Sequence, residues 1–119
     1  MCIRDREKSV KITSFETFQL QAPLEIPFGW SQDTITSRSV GLVKITTDEG
    51  IIGWGEGCGG PAAAVVNEIF APLLKGDDPT NRLAIWQKMF HSIYNANLAV
   101  GFGGSAISAV DTALWDITG

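Results

Sequence analysis

The sequence has little of what most catalytic and nucleic-acid-binding sites are made from. Two cysteines, Cys2 and Cys58, and one histidine, His91, are spread over 119 residues. No CxxC or Cys/His cluster suggests zinc, no disulfide framework can be built, and a His-based metal site within this chain is excluded. Basic residues number only 9 against 13 acidic ones and stop after Lys88, leaving a net charge of −4. That balance lacks the basic stripe needed to neutralise phosphates, so nucleic acid is not expected as a partner. No apolar h-region follows the charged "MCIRDREKS", so a secretory signal is not expected. The uncharged run Ser92–Val110 is interrupted by Asn95, Asn97, Ser105 and glycines, so it is no membrane span. These absences together point to a reducing, cytoplasmic setting.

What is present is an ordinary globular composition, 45% hydrophobic and 18% charged, in one domain's length. Residues 1–8 carry no pattern and read as a non-native or disordered leader; residues 9–119 read as the folded unit. Val10, Ile12, Phe18 and Leu20 alternate and predict a strand over 9–20 with those four on one face. "QAPLEIPFGWSQDTITSR" predicts a long loop. "SVGLVKITT" (39–47) and Ile51–Trp54 predict two strands joined at Gly50, which can take the positive φ of a tight turn. Pro61 opens a first helix that Pro72 should break or tighten near Ala71. Thr80 or Asn81 caps a second helix, with Leu83, Trp86, Phe90 and Ile93 as its stripe.

A third helix carries Ala106, Ile107, Ala109, Val110, Ala113, Leu114 and Ile117 within an arc of roughly 160°. Trp115 points away from that arc among Ser108, Asp111 and Thr112, which predicts that the helix is covered on both sides. The order, three strands of an antiparallel meander followed by about three helices, is α+β.

Several motifs invite chemistry. "GEGCGG" (Gly55, Gly57, Gly60) matches GxGxxG literally, and "GFGGSA" matches its GxGxxA variant. Neither sits in a βαβ unit with an acidic residue at the proper distance, so tight turns and close packing are the simpler account. A free-standing module using these loops for a nucleotide is kept as an alternative, as is a small self-associating domain. Asp48-Glu49 and Asp77-Asp78 read as solvated turn residues, and His91 as a surface or half-buried helix residue. Cys58 lacks a neighbouring base and reads as a packing or pocket-lining residue. Asp111 and Asp116 lie about 140° apart around their helix and do not converge; Asp116 suits a bond to backbone across an interface. Phe28 and Trp30 are large aromatics beside Pro27 and Gly29, and suit either a substrate-covering segment or local packing.

In order, "VGLVKITTDEGIIGWGEG", "APLLKGDDP", "IWQKMF" and "SAISAVDTALWDITG" resemble the N-terminal capping domain of the mandelate racemase and muconate lactonizing enzyme family, within the enolase superfamily. The resemblance covers residues 9–119. It implies an α+β capping domain truncated before its barrel, in an enzyme that abstracts the proton α to a carboxylate as a sugar-acid dehydratase or racemase. It implies Mg²⁺ in the full-length enzyme, held by barrel residues, and no catalytic residue, metal ligand or turnover in this chain. It implies a small carboxylate substrate, the missing barrel as partner, and a homo-oligomeric full-length enzyme. Two segments would cover the substrate: Phe28, Gly29, Trp30 and Ser31, and Glu56, Gly57 and Cys58. Trp115 and Asp116 would face the domain interface.

Overall fold

The computed structural model describes residues 10–30, 33–94 and 101–118; the side chains of residues 22–38 lie outside the description, as does the leader assigned to residues 1–8. Strands β1 (Ile12–Trp30), β2 (Asp33–Thr47) and β3 (Ile52–Glu56) form one antiparallel sheet in the order β1-β2-β3. Helix α1 (Pro61–Val65) runs through a π-helical turn (Val66–Phe70) into α2 (Ala71–Leu74), followed by α3 (Arg82–Tyr94) and α4 (Phe102–Thr118). The helices cover one face of the sheet. The meander-then-helices order expected from the sequence is the one found.

The β2–β3 hairpin closes as anticipated. Gly50 has φ +79°, and its N–H donates to the Thr47 carbonyl at 3.1 Å. The Thr47 hydroxyl, buried beneath the turn, donates to the Ile51 carbonyl and accepts from the Ile51 N–H, both at 3.0 Å. A short β-turn with its one buried hydroxyl satisfied needs no further support.

Three features of the sheet depart from expectation. First, the described part of 21–38, residues 21–30 and 33–38, is strand rather than loop. The β1–β2 ladder continues through Gln21↔Ser39 and Pro23↔Ser37, shifts register, and resumes at Phe28↔Ile35 to end at Trp30↔Asp33. The interruption is bounded by Pro23 and Pro27, which have no N–H to give to a ladder. Second, a bulge between Ile12 and Ser14 places two β1 residues against one step of β2. Ile12 therefore faces the core opposite Thr47, whereas Phe18 and Leu20 lie on the opposite face, with Phe15 and Thr17 turned inward instead. Third, β3 runs to Glu56, beyond the expected Trp54.

The helical layer departs twice. Pro72 neither breaks nor tightens its helix. The Ala71 N–H bonds to the Val66 carbonyl five residues back, so one wide turn absorbs the proline. In α3, the inward stripe is Ile85, Met89 and Ile93, while Leu83 is 71% and Trp86 41% exposed. This helix has two apolar stripes, and the one without aromatics won the core. The alanine-rich arc of α4 is buried as expected, with Ile117 partly so.

Among the described glycines, the tightest backbone approach is between α4 and β3. A Cβ built on Gly55 would lie 1.9 Å from the Ala109 carbonyl oxygen, and one on Gly53 2.1 Å from that of Ala113. Two glycines two apart on a strand thus meet two alanines four apart on a helix. Between them Trp54 turns to the other face, and its edge N–H donates to Asp116 Oδ2 at 2.9 Å.

Gly55→Ala should lower unfolding stability by about 3 kcal/mol or more, since a backbone carbonyl cannot yield as a side chain does. Gly50→Ala, whose Cβ meets nothing within 4 Å, should cost only about 1 kcal/mol through its positive φ. Urea unfolding of both variants measures the contrast; equal losses would contradict the packing described.

Candidate functional site

The two segments expected to cover a substrate leave the sheet at the same end. Beyond Gln19↔Gly41 the β1–β2 ladder extends as a hairpin arm, and beyond Leu42↔Glu56 the chain leaves β3. The backbones of Phe28, Gly29 and Trp30 lie in the distal ladder opposite Ile35, Thr34 and Asp33. Their side chains, and all of Ser31, lie outside the described residues.

The second segment is fully described. The Glu56 side chain is exposed and has no hydrogen-bond or ion-pair partner among the described residues, while its backbone pairs with Leu42 in the ladder. Gly57 has φ +119° and donates its N–H to the Gly41 carbonyl at 3.0 Å, turning the chain back across β2. That crossing needs a bare glycine beneath it, because a Cβ on Gly41 would lie 2.4 Å from the Cys58 carbonyl carbon. The segment then reaches β1. Gln19 Nε2 donates to the Cys58 carbonyl at 3.1 Å, and the Gly60 N–H donates to Gln19 Oε1 at 3.3 Å. Cys58 itself is buried in the core, and desolvation pushes its thiol above the ordinary value of 9.0 despite a hydrogen bond with backbone that lowers it. Burial makes it an inert packing group rather than a nucleophile.

The same geometry disposes of the nucleotide reading of "GEGCGG". Gly55 is pressed on Ala109, the Gly57 N–H is held by Gly41, and the Gly60 N–H by Gln19. The first N–H groups of α1 are used as well, Ala62 bonding Gly59 and Ala63 bonding Gly60. Donors already spent inside the fold cannot cradle a pyrophosphate. No finding supports that alternative.

A different surface lies along α3 and α4. Trp86, Phe90 and Tyr94 stack in series, with centroids 5.3 and 5.7 Å apart. Arg82 lies 3.5 Å from the Trp115 ring and donates to the Thr118 hydroxyl at 2.8 Å. Trp115 nevertheless stays 55% exposed, in a groove of about 320 Å³ lined by Arg82, Leu83, Trp86, Asp111 and Trp115. Asp111 and Asp116 diverge as expected, one into this groove and the other onto β3. His91 is exposed on α3, edge-on to Phe90.

Sequence reasoning missed Gln19, Gly41 and Arg82. For Gln19 the signal was obtainable only after the bulge was known, since it then becomes a polar residue on the core-facing register of β1. Among the described residues no three His, Cys, Asp or Glu side chains group to hold a metal, and no helix is long and apolar enough to cross a membrane.

The family model for the "Mandelate racemase / muconate lactonizing enzyme, N-terminal domain" matches residues 12–119. A D-galactarolactone cycloisomerase of Agrobacterium fabrum is 36% identical over 92% of this chain and 29% of its own length. A D-galactonate dehydratase of Verminephrobacter eiseniae is 43% identical over 66% of this chain and 21% of its own. The crystal structure of L-talarate dehydratase from Polaromonas sp. JS666, complexed with Mg and L-glucarate, superposes with a TM-score of 0.79 at 28% identity, covering 92% of this chain and 32% of that one. The chain thus spans between a fifth and a third of the relatives it matches.

Alkylation in a Cys2→Ser background should be slow for Cys58 in the folded chain and fast in urea. Because the folded thiol keeps its proton where the unfolded one loses it, stability should fall as pH rises above about 9. A flat stability profile from pH 8 to 10.5 would remove the case for a desolvated thiol.

Proposed function

The chain belongs to the mandelate racemase / muconate lactonizing enzyme family as its N-terminal domain, and from that premise we propose that it is the substrate-capping domain of a Mg²⁺-dependent sugar-acid dehydratase or racemase. The observation that carries this reading is the convergence of the β1–β2 arm and the Glu56–Gly60 segment at one end of the sheet. Two projections from one rim are what a lid over a mouth requires. The sugar-acid names of the relatives and the Mg complex of L-talarate dehydratase support the substrate class and the metal.

Bound Mg²⁺ would stabilise the negative charge that forms on a carboxylate substrate as its α-proton leaves. The residues here do not fit that ion, because the described carboxylates are dispersed, so its ligands and the proton-transfer groups belong to the barrel. This domain's own contribution is exclusion of water and selection of substrate. Glu56, exposed and unpartnered among the described residues, suits hydrogen bonds to sugar hydroxyls, with Gly57 and Cys58 contributing backbone. Phe28, Gly29, Trp30 and Ser31 would cover the other side.

The α3–α4 groove with Trp115 is the surface we assign to the rest of the enzyme. A half-exposed indole beside Leu83 and Trp86 is apolar area that a domain contact would remove from water. Asp116 lies at the same end of α4, though its carboxylate is already engaged by β3. Substrate covering and the Mg²⁺ requirement thus fall on opposite sides of that contact.

Calorimetric titration of this chain should detect no Mg²⁺ binding at micromolar concentration, and the chain should catalyse no solvent exchange of sugar-acid α-protons. The full-length enzyme should do both, losing turnover with EDTA and regaining it with Mg²⁺. Exchange catalysed by the chain alone, or EDTA-insensitive turnover by the whole enzyme, contradicts the assignment.

A further inference from the structure

Gln19 sits where the two projections meet, and we propose that it is a positioning residue that locks the Glu56–Gly60 segment to the root of the β1–β2 arm, thereby setting the shape of the substrate cover. The inference rests on the capping reading above. Its physical content is separate: beside the buried Cys58 side chain and the Gly57–Gly41 bond, one side-chain amide bonds the crossing directly to β1.

The need for such a lock follows from how the segment is built. Gly57 and Gly60 both have positive φ, +119° and +58°. Such residues have the widest choice of backbone conformation, so their native angles must be imposed by other contacts. The Gly57 N–H bond to the Gly41 carbonyl fixes the near end of the crossing. At the far end the Cys58 side chain is buried in the core, and Gln19 supplies the side-chain hydrogen bonds before α1 begins. Its Nε2 donates to the Cys58 carbonyl at 3.1 Å and its Oε1 accepts from the Gly60 N–H at 3.3 Å. One donor and one acceptor on a planar group satisfy a carbonyl and an N–H two residues apart, which discriminates sharply between amide and other side chains.

The lock also couples the two covers. Gln19 is opposite Gly41 in the ladder, and the next pairs, Leu20↔Val40 and Gln21↔Ser39, lead into the arm. A shift of the arm root would drag the Cys58 carbonyl and the Gly60 N–H with it. Exposed Glu56 precedes this crossing, so its reach over a substrate depends on where the crossing sits. Small displacements of a substrate-positioning group are costly to binding and turnover.

Two variants separate this role from bulk stability. In Gln19→Leu both bonds vanish. In Gln19→Glu the ionised carboxylate can still accept from Gly60 but faces the Cys58 carbonyl with a second oxygen. The protonated carboxyl, with one O–H donor and one carbonyl acceptor, reproduces the amide pattern. Amide hydrogen exchange by NMR on the full 119-residue chain should show Gly60 exchanging about tenfold faster in Gln19→Leu, while Val110 and Ala113 in α4 keep their protection. In Gln19→Glu, protection of Gly60 should return as pH falls through the carboxyl titration, a pH dependence that the wild type lacks. This second variant carries the test if Gln19→Leu fails to fold. Equal Gly60 protection in all three proteins overturns the lock. In the full-length enzyme, Gln19→Leu should raise KM for the sugar acid about fivefold or more with a smaller change in kcat. If Gly60 loosens and KM stays unchanged, the lock stands as structure, while the capping reading and the functional role given to Gln19 both fall.

Discussion

The packing of α4 on β3 is the constraint from which the rest of this domain follows. Helix and strand touch backbone to backbone at Ala109 against Gly55 and Ala113 against Gly53, with no room for a methyl group between them. Such proximity leaves no room for a side chain between the facing backbones and leaves Trp54, between the glycines, on the other face. There its ring lies 5.7 Å from Phe18 and near the Lys44 ammonium. It would also strand the edge N–H of Trp54, which Asp116 accepts from the helix side. The four residues Gly53, Gly55, Ala109 and Ala113 fix the depth of the helix, and Asp116 fixes its position along the strand. With α4 so placed, the π-helical turn after α1 and helix α3 fill the space on its remaining buried sides with Val66, Phe70, Ile85 and Met89.

This contact explains how one glycine-rich run serves two unlike ends. In "GWGEG" the first two glycines are needed for their missing side chains, and the third for its positive φ. The strand segment makes the tightest joint in the fold, and the next residue begins the least constrained crossing. The tight joint and the glycine crossing are thereby separated by a single residue, Glu56. A change on the helix-facing side of β3 disturbs the whole domain. A change at Gly57 or Gly60 acts on the rim, where the bonds to Gly41 and Gln19 are restraints, whereas a change at buried Cys58 reaches the core.

The sequence disclosed the parts whose structure is set locally. The α4 arc was readable because its period repeats over seventeen residues, and the Gly50 turn because one residue determines it. What could not be read were outcomes decided between segments. Alternation over 9–20 was real, but the bulge near Thr13 reassigned Phe18 and Leu20 to the outer face, and nothing in the hydrophobic pattern announces an inserted residue. α3 carries two apolar stripes, and only the presence of α4 and α2 decides that Ile85, Met89 and Ile93 turn inward. The arm was read as a loop because prolines and small polar residues are loop residues; in the fold they merely interrupt a ladder. The amide that joins the Glu56–Gly60 segment to β1 was not legible, since a glutamine on a strand has no distinguishing mark until its register is known.

That the arm is ladder rather than loop changes what a cover made from it can do. A loop explores many backbone states and must lose them on closing over a ligand. An extension of β1 and β2 has already lost them on folding, through Gln21↔Ser39 and again through Phe28↔Ile35. The pairing is interrupted between Pro23 and Phe28, so the described arm consists of two paired pieces joined at one irregular point. The Glu56–Gly60 segment reaches similar definition by another route, with glycines that permit many conformations and side-chain and backbone bonds that select one. A cover assembled from one pre-paired hairpin and one pinned crossing presents a largely formed surface. Under the capping role proposed above, selectivity would depend on the fit of that surface to the ligand more than on the order a ligand must induce.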